Sequence, residues 1–246
     1  MRILVFMSDN RQLNTNLSTS NYNSLSACIN KEYCKLHGYD FIYYQPYQEG
    51  PAENSLYNCK NPITGAPRHA SWSKILASLL VMRKTDYNYF VYIDSDCIFR
   101  NFSIKLETVI EANSSADILF MNNRPWNHDK LCAGFYILKN VPAAKNFLKD
   151  CYMFNSPYFD KGHHWEQEAF RKVIEQGRYS YSLIDTVWFE ELPGQQLRHV
   201  ASHQVEIRIP YFTKIINDSK MNYSEIISSI EFISFPTDNL RMFLSE

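Results

Sequence analysis

Short apolar runs alternate along this chain with segments whose apolar residues recur every three or four positions. That alternation restricts it to an α/β fold. Ile3–Ser8 is the first apolar run and reads as a buried strand. Tyr22, Leu25, Ile29, Tyr33 and Leu36 then repeat at helical spacing, with Ser20 or Asn21 as N-cap and Gly38 just past the end. Asp40–Tyr44 is a second strand, and Gln45–Pro67, rich in proline and polar residues, is expected as a long surface loop. Trp72, Ile75, Leu76, Leu79, Leu80 and Arg83 share one helical face behind Ser71 as N-cap. Strands follow at Tyr89–Ile93, Asp117–Met121 and Cys132–Leu138, helices around Ala144–Tyr152 and Trp165–Ile174, and an extended segment at Tyr179–Phe189. Beyond Pro193 the pattern weakens, apart from an apolar stretch at Ile226–Phe235. No repeat or linker divides the 246 residues, which have the length of one domain.

Composition narrows the function. Hydrophobic residues make up 45% and charged residues 21%, a globular balance. Lys and Arg number 25 against 26 Asp and Glu, so no global field draws the chain to nucleic acid, and no nucleic-acid partner is expected. The longest apolar run, Ile75–Met82, is broken by Ser78 and falls far short of the ~20 residues that span a bilayer. Ile3–Met7 is too short for the apolar part of a signal peptide. A soluble, cytoplasmic protein without a transmembrane segment is therefore expected. None of the six cysteines forms a C-x-x-C pair, so free thiols are expected rather than a structural zinc site.

The chemistry concentrates where the strongest strand ends, at Asp94-Ser95-Asp96. Ligands of open α/β sheets bind beyond the carboxyl ends of strands, and residues two apart on a strand share a face. Two carboxylates aimed at one point repel unless a cation lies between them, and Mg²⁺ or Mn²⁺ resolves that conflict through oxygen ligands. Ser71-Trp72-Ser73-Lys74 places a lysine in the first turn of a helix, where the dipole opposes it. Such a lysine, next to free N–H groups, suits a phosphate; otherwise it is a solvated residue whose stem covers Trp72. Trp165-Glu166-Gln167-Glu168 opens another helix, where acids stabilise without any site. His199 or His203 would complete an oxygen-rich metal site, and His163-His164 is a further pair.

In order, these are an N-terminal strand with a polar loop, W-x-K on a helix, apolar-D-x-D, A-G-F-Y-I-L-K-N, W-E-Q-x-A-F and a late histidine. The set resembles the GT-A-fold nucleotide-sugar glycosyltransferases over roughly residues 1–205. It is most similar to the galactosyl/xylosyl/mannosyltransferase family, which includes plant xyloglucan xylosyltransferases and yeast mannan-elongating enzymes. The resemblance implies a single α/β, Rossmann-like GT-A domain with a mixed, mostly parallel central sheet flanked by helices. Its nucleotide-binding part would be about 1–121, its acceptor side about 122–205 and a C-terminal extension about 206–246. It implies a nucleotide site at Ser8, Asp9, Asn10, Trp72, Lys74, Asp94 and Ser95, with Asn122, Ala133 and Gly134 bordering the donor sugar and acceptor. Asp94, Asp96 and His199, or failing that His203, would hold Mn²⁺ or Mg²⁺. Glu166 and Gln167 would be the catalytic pair beside the sugar, although Glu166 is one methylene longer than the Asp often found there. The partners implied are a nucleoside-diphosphate sugar, UDP-linked before GDP-linked, and a glycan acceptor, with retention of configuration. Family members usually carry an N-terminal Golgi anchor, which this sequence does not display.

On that basis the expected reaction moves a sugar to a hydroxyl, the metal and Lys74 balancing charge on the departing diphosphate. Trp126 and Trp165 are candidates for stacking on sugar faces. Two other classes share part of the pattern. A haloacid-dehalogenase-type phosphatase also uses apolar-D-x-D, but at the end of its first strand. A sugar nucleotidyltransferase expects glycines after the first strand, and Ser8–Leu17 contains none. The alternative without catalysis is an inactive nucleotide-sugar or glycan-binding module.

Overall fold

The computed structural model describes residues 1–47, 59–122, 131–161, 165–184, 189–190, 197–200 and 205–237. Its first half runs β1 (Ile3–Ser8), α1 (Tyr22–His37), β2 (Asp40–Tyr47), β3 (Cys59–Lys60), β4 (Pro67–Arg68), α2 (Ser73–Val81), β5 (Tyr89–Ile93), β6 (Cys97–Phe99), α3 (Leu106–Ala112) and β7 (Ile118–Asn122). Next come β8 (Leu131–Lys139), α4 (Pro142–Met153), α5 (Pro157–Lys161), α6 (Trp165–Ile174), β9 (Tyr181–Ile184), β10 (Phe189–Glu190) and β11 (Leu197–His199). The described chain closes with α7 (Val205–Asp218), α8 (Tyr223–Ser228) and β12 (Glu231–Pro236).

Seven strands form the central sheet in the order β12-β2-β1-β5-β8-β7-β9. β12, β2, β1 and β5 are mutually parallel, and β8 runs antiparallel to both β5 and β7. The mixed, mostly parallel α/β sheet expected from sequence is therefore present. All six residues of β1 are buried, as a run flanked by strands and covered on both faces must be. Alternation sorts them: Ile3, Val5 and Met7 pack against α1, α3, α7 and α8, whereas Leu4 and Phe6 pack against α2, α4 and α6. Among the described residues no helix is long and apolar enough to cross a membrane.

Several local expectations change. α1 does end at Gly38, whose φ of +73° is costly for residues with a Cβ, and its N–H caps Cys34 and Lys35. Ser71 is not the N-cap of α2. Ala70–Trp72 forms a 3-10 turn capped by the His69 ring, and α2 continues directly from it. The expected loop contains the β3–β4 hairpin; residues 48–58 lie outside the described residues. The weakly patterned C-terminal region supplies a fourteen-residue helix, α7, and β12, an edge strand paired with β2 from Glu231↔Ile42 to Pro236↔Tyr47.

Candidate active site

β1 and β5 are parallel neighbours, so Ser8 and Ile93 end at the same edge of the sheet. There a cleft of about 480 Å³ opens, lined by Ser8, Asp9, Asn10 and Arg11 on one wall and Asp94, Ser95 and Asp96 on another. The start of α2 supplies Ser73 and Lys74, the turn before it His69, Ala70 and Ser71, and Tyr22 and Tyr92 also line the cleft. This is the carboxyl edge at which a sheet with this connectivity binds ligands.

The D-x-D turn is held from several directions. Asp94 N–H donates to the Gly134 carbonyl at 2.8 Å, and Cys97 N–H closes back on the Asp94 carbonyl at 3.0 Å. From α1, the Ser26 hydroxyl donates to the Ser95 carbonyl at 2.6 Å. Asn30 donates to the Cys97 carbonyl and accepts from Phe99 N–H, both at 3.0 Å. β6 pairs antiparallel with β11, which sets His199 opposite Cys97. His199 Nε2 thereby lies 3.3 Å from Asp96 Oδ1, and its Nδ1 lies 3.7 Å from the Cys132 thiol. Asp96, Cys97 and His199 offer ligand atoms that all lie within 4.8 Å of one another. The fit of the ring depends on Gly134, because a Cβ there would stand 3.0 Å from His199 Cε1.

Asp94 and Asp96 occupy different electrostatic settings. Asp94 accepts from Tyr92 OH and from the Lys74 ammonium, the latter at 3.1 Å. Burial raises its pKa, Lys74 opposes that, and the nearby Asp96 charge adds to it. Burial also pushes Asp96 up, but His199 and Arg208 outweigh it and hold Asp96 below the ordinary carboxylate range. His199 is raised well above its usual value. Burial lowers it, and the partners Cys97 and Asp96 overcome that. Lys74 is itself buried, and its ammonium also reaches Glu166 Oε1 at 2.7 Å and the Ala133 carbonyl at 3.3 Å. Burial disfavours its charge, yet Asp94 and Glu166 prevail and its pKa is raised.

Around this centre the structure brings together most of the residues singled out from sequence. Gln167 accepts from Ala133 N–H at 2.9 Å, which ties the start of α6 to β8. Glu166 is buried with its Oε2 lacking a hydrogen-bond partner, and Asn122 Oδ1 at the end of β7 is likewise unpartnered. Trp72 does not line the cleft; it is fully buried beneath the Arg68 guanidinium, 3.8 Å from its ring. Trp165 stacks on His69 at 3.9 Å and carries φ of +30°, a strained start to α6. Trp126, His163, His164 and His203 lie outside the described residues.

Sequence reasoning missed two arginines. Arg11 grips the Asp9 carboxylate, reaches Ser95 Oγ at 3.2 Å and lies 4.1 Å from the centre of the Tyr22 ring. Arg208, on α7, donates to Asp96 Oδ2 and to the Val200 carbonyl, each at 2.7 Å. A signal for Arg208 was available: it shares one face of α7 with buried Phe212 and Ile216, where a charge requires a partner.

The model of the galactosyl transferase GMA12/MNN10 family matches residues 1–132. Comparison with curated proteins finds no match. Among solved structures the chain is similar to a glycosyltransferase involved in the glycosylation of the major capsid of PBCV-1. Identity there is 14% and the TM-score 0.64, covering 86% of this chain and 99% of that one. It is also similar to the glycosyltransferase GlyE of Streptococcus pneumoniae TIGR4, at 12% identity and a TM-score of 0.52, covering 93% of this chain and 63% of that one. At such identities these two likenesses speak to the fold.

Proposed function

The chain belongs to the galactosyl transferase GMA12/MNN10 family, and from that premise we propose that this glycosyltransferase moves a sugar from a nucleoside-diphosphate sugar to a hydroxyl of a glycan acceptor in a metal-dependent reaction. The donor is UDP-linked and configuration is retained. Family membership sets aside the phosphatase and the nucleotidyltransferase. The observation that carries the proposal is the convergence of Asp96 and His199, 3.3 Å apart, at the edge of a cleft walled by Ser8–Arg11 and the start of α2.

A carboxylate and an imidazole held this close suit Mn²⁺ or Mg²⁺, and Gly134 leaves the ring the room it needs. Asp96 and His199 would hold the ion, with Asp94 beside them. Bound there, it supplies Lewis-acid stabilisation to the departing diphosphate. Lys74 pairs with Asp94 and Glu166 in a buried setting and adds positive potential to the cleft. Ser8, Asp9 and Asn10 border the nucleotide, and Arg11 fixes Asp9 against the turn at Ser95. Glu166 and Gln167 face the anomeric centre. The unpartnered Glu166 Oε2 offers negative charge to an oxocarbenium-like carbon, and Gln167 holds β8 in place behind it.

Thermal unfolding with UDP, GDP, CDP and ADP, each with and without Mn²⁺, tests this. A ligand at ~100 times its dissociation constant adds about 2.7 kcal/mol, a rise of roughly 5–10 °C for a chain of this size. We expect UDP to give that rise only with Mn²⁺, and Asp96→Asn to abolish it. No rise with any nucleotide overturns the proposal. A rise without transfer to any glycan identifies a binding module instead.

A further inference from the structure

Arg208 is in direct contact with Asp96 on the side away from His199. Its side chain is 7% exposed, its Nε is anchored on the Val200 carbonyl, and its Nη2 donates to Asp96 Oδ2 at 2.7 Å. Its guanidinium carbon lies 4.7 Å from the centre of the Tyr22 ring, which Arg11 also contacts. Asp96 thus has a partner on each oxygen, the His199 ring at Oδ1 and the Arg208 guanidinium at Oδ2. A divalent ion entering beside Asp96 meets a guanidinium already there, and like charges at this range oppose each other strongly in a buried site.

We propose that Arg208 is the resident counter-ion of Asp96 and competes with the divalent ion for it, so that metal loading is weak until a diphosphate arrives to balance the added charge. This rests on the metal-dependent function proposed above. The consequence is an ordered site in which metal and donor enter together. Anchorage at Val200 keeps the guanidinium beside the cleft when Nη2 releases Asp96. Coupling is reciprocal, so whatever the diphosphate does for the ion, the ion does for the diphosphate.

The experiment measures binding of Mn²⁺ alone to the full chain, from the paramagnetic resonance signal of the free ion. It is repeated with UDP, GDP, CDP and ADP in turn, for the wild type, Arg208→Gln and Arg208→Met. Circular dichroism confirms that each variant is folded; the methionine keeps the packing of the stem where the amide fails to. Without nucleotide, a folded variant should bind Mn²⁺ about tenfold more tightly than the wild type, and nucleotide should tighten it correspondingly less. A merely structural arginine would not improve metal binding when removed. Unchanged or weaker binding of Mn²⁺ alone in a folded variant overturns the proposal. A wild type that binds no Mn²⁺ even with every nucleotide overturns the metal-dependent function, and this proposal with it.

Discussion

Gly134 shows how much a single missing atom can decide. The glycine lies within β8, where it contributes no side-chain packing and would ordinarily weaken the strand. Its value is space. The His199 ring packs against its backbone, with ring atoms 3.0–3.3 Å from where a Cβ would stand. Gly134→Ala is therefore expected to push the ring away from Asp96 by a few tenths of an ångström or more. The fold should survive at a cost of about 1–3 kcal/mol from overpacking, while affinity for Mn²⁺ in the presence of nucleotide drops on the order of tenfold. Calorimetric titration of Mn²⁺ into the variant checks this, and unchanged affinity would show that His199 is not a ligand. Lys74 illustrates the same scale in the other direction. From sequence it is a cation opposed by a helix dipole, and in the fold two carboxylates surround it. The local conflict is settled by partners 20 and 92 residues away.

At the scale of elements, α1 does more than cover the sheet. Its core-facing side carries Asn23, Ser26 and Asn30 among apolar residues, all buried. Ser26 and Asn30 are satisfied by holding the turn that carries the two aspartates, and Asn23 donates to the Tyr43 hydroxyl while its Oδ1 lacks a partner. Asn30→Ala leaves the Cys97 carbonyl and the Phe99 N–H without partners, and we expect a loss of about 2–4 kcal/mol in urea unfolding with an unchanged m-value. A loss under about 1 kcal/mol would mean that the turn at Asp94–Asp96 stands without α1. The helices and strands flanking the site were legible because their apolar residues keep one period. α7 was not. Val205, Ile207 and Ile209 alternate as in a strand, Pro210 is a residue that ordinarily breaks a helix although α7 runs through it, and the core-facing row opens with Arg208. Ile207 and Ile209 are in fact 41% and 44% exposed. β12 was hidden for a related reason, since an edge strand with exposed Glu231 and Phe232 shows no clean alternation.

Across the whole molecule, stability is linked to pH through histidines with opposite settings. Burial lowers the His69 pKa from its ordinary 6.5; Glu166 pulls it up and Lys74 pushes it down. The unfolded ring therefore takes a proton more readily than the folded one. The contribution is complete above pH 6.5 and is lost as the pH falls from there through the folded value. His199 is raised instead, so its contribution is complete below pH 6.5 and is lost only as the pH rises through its folded value. Melting temperatures between pH 7.5 and 5.5 should accordingly fall on acidification less steeply in His69→Gln than in the wild type. Parallel curves would show that His69 titrates as it does in the unfolded chain.

The sequence by itself determined the class of fold, most element positions and the strand-terminal carboxylates. These depend on local period and on where apolar runs stop, and both are written in neighbouring residues. It also supplied the candidates Lys74, Glu166, Gln167 and His199 or His203 from their local setting, while their roles, and Gly134, came through a resemblance in motif order. Only the tertiary structure decided how they meet. Asp96 is 103 residues from His199 and 112 from Arg208, and a pairing across such distances depends on how β6 registers with β11 and how α7 packs on α1. No periodicity encodes that register. A buried carboxylate requires a partner, and both His199 and Arg208 come within its reach only once the chain has closed around it.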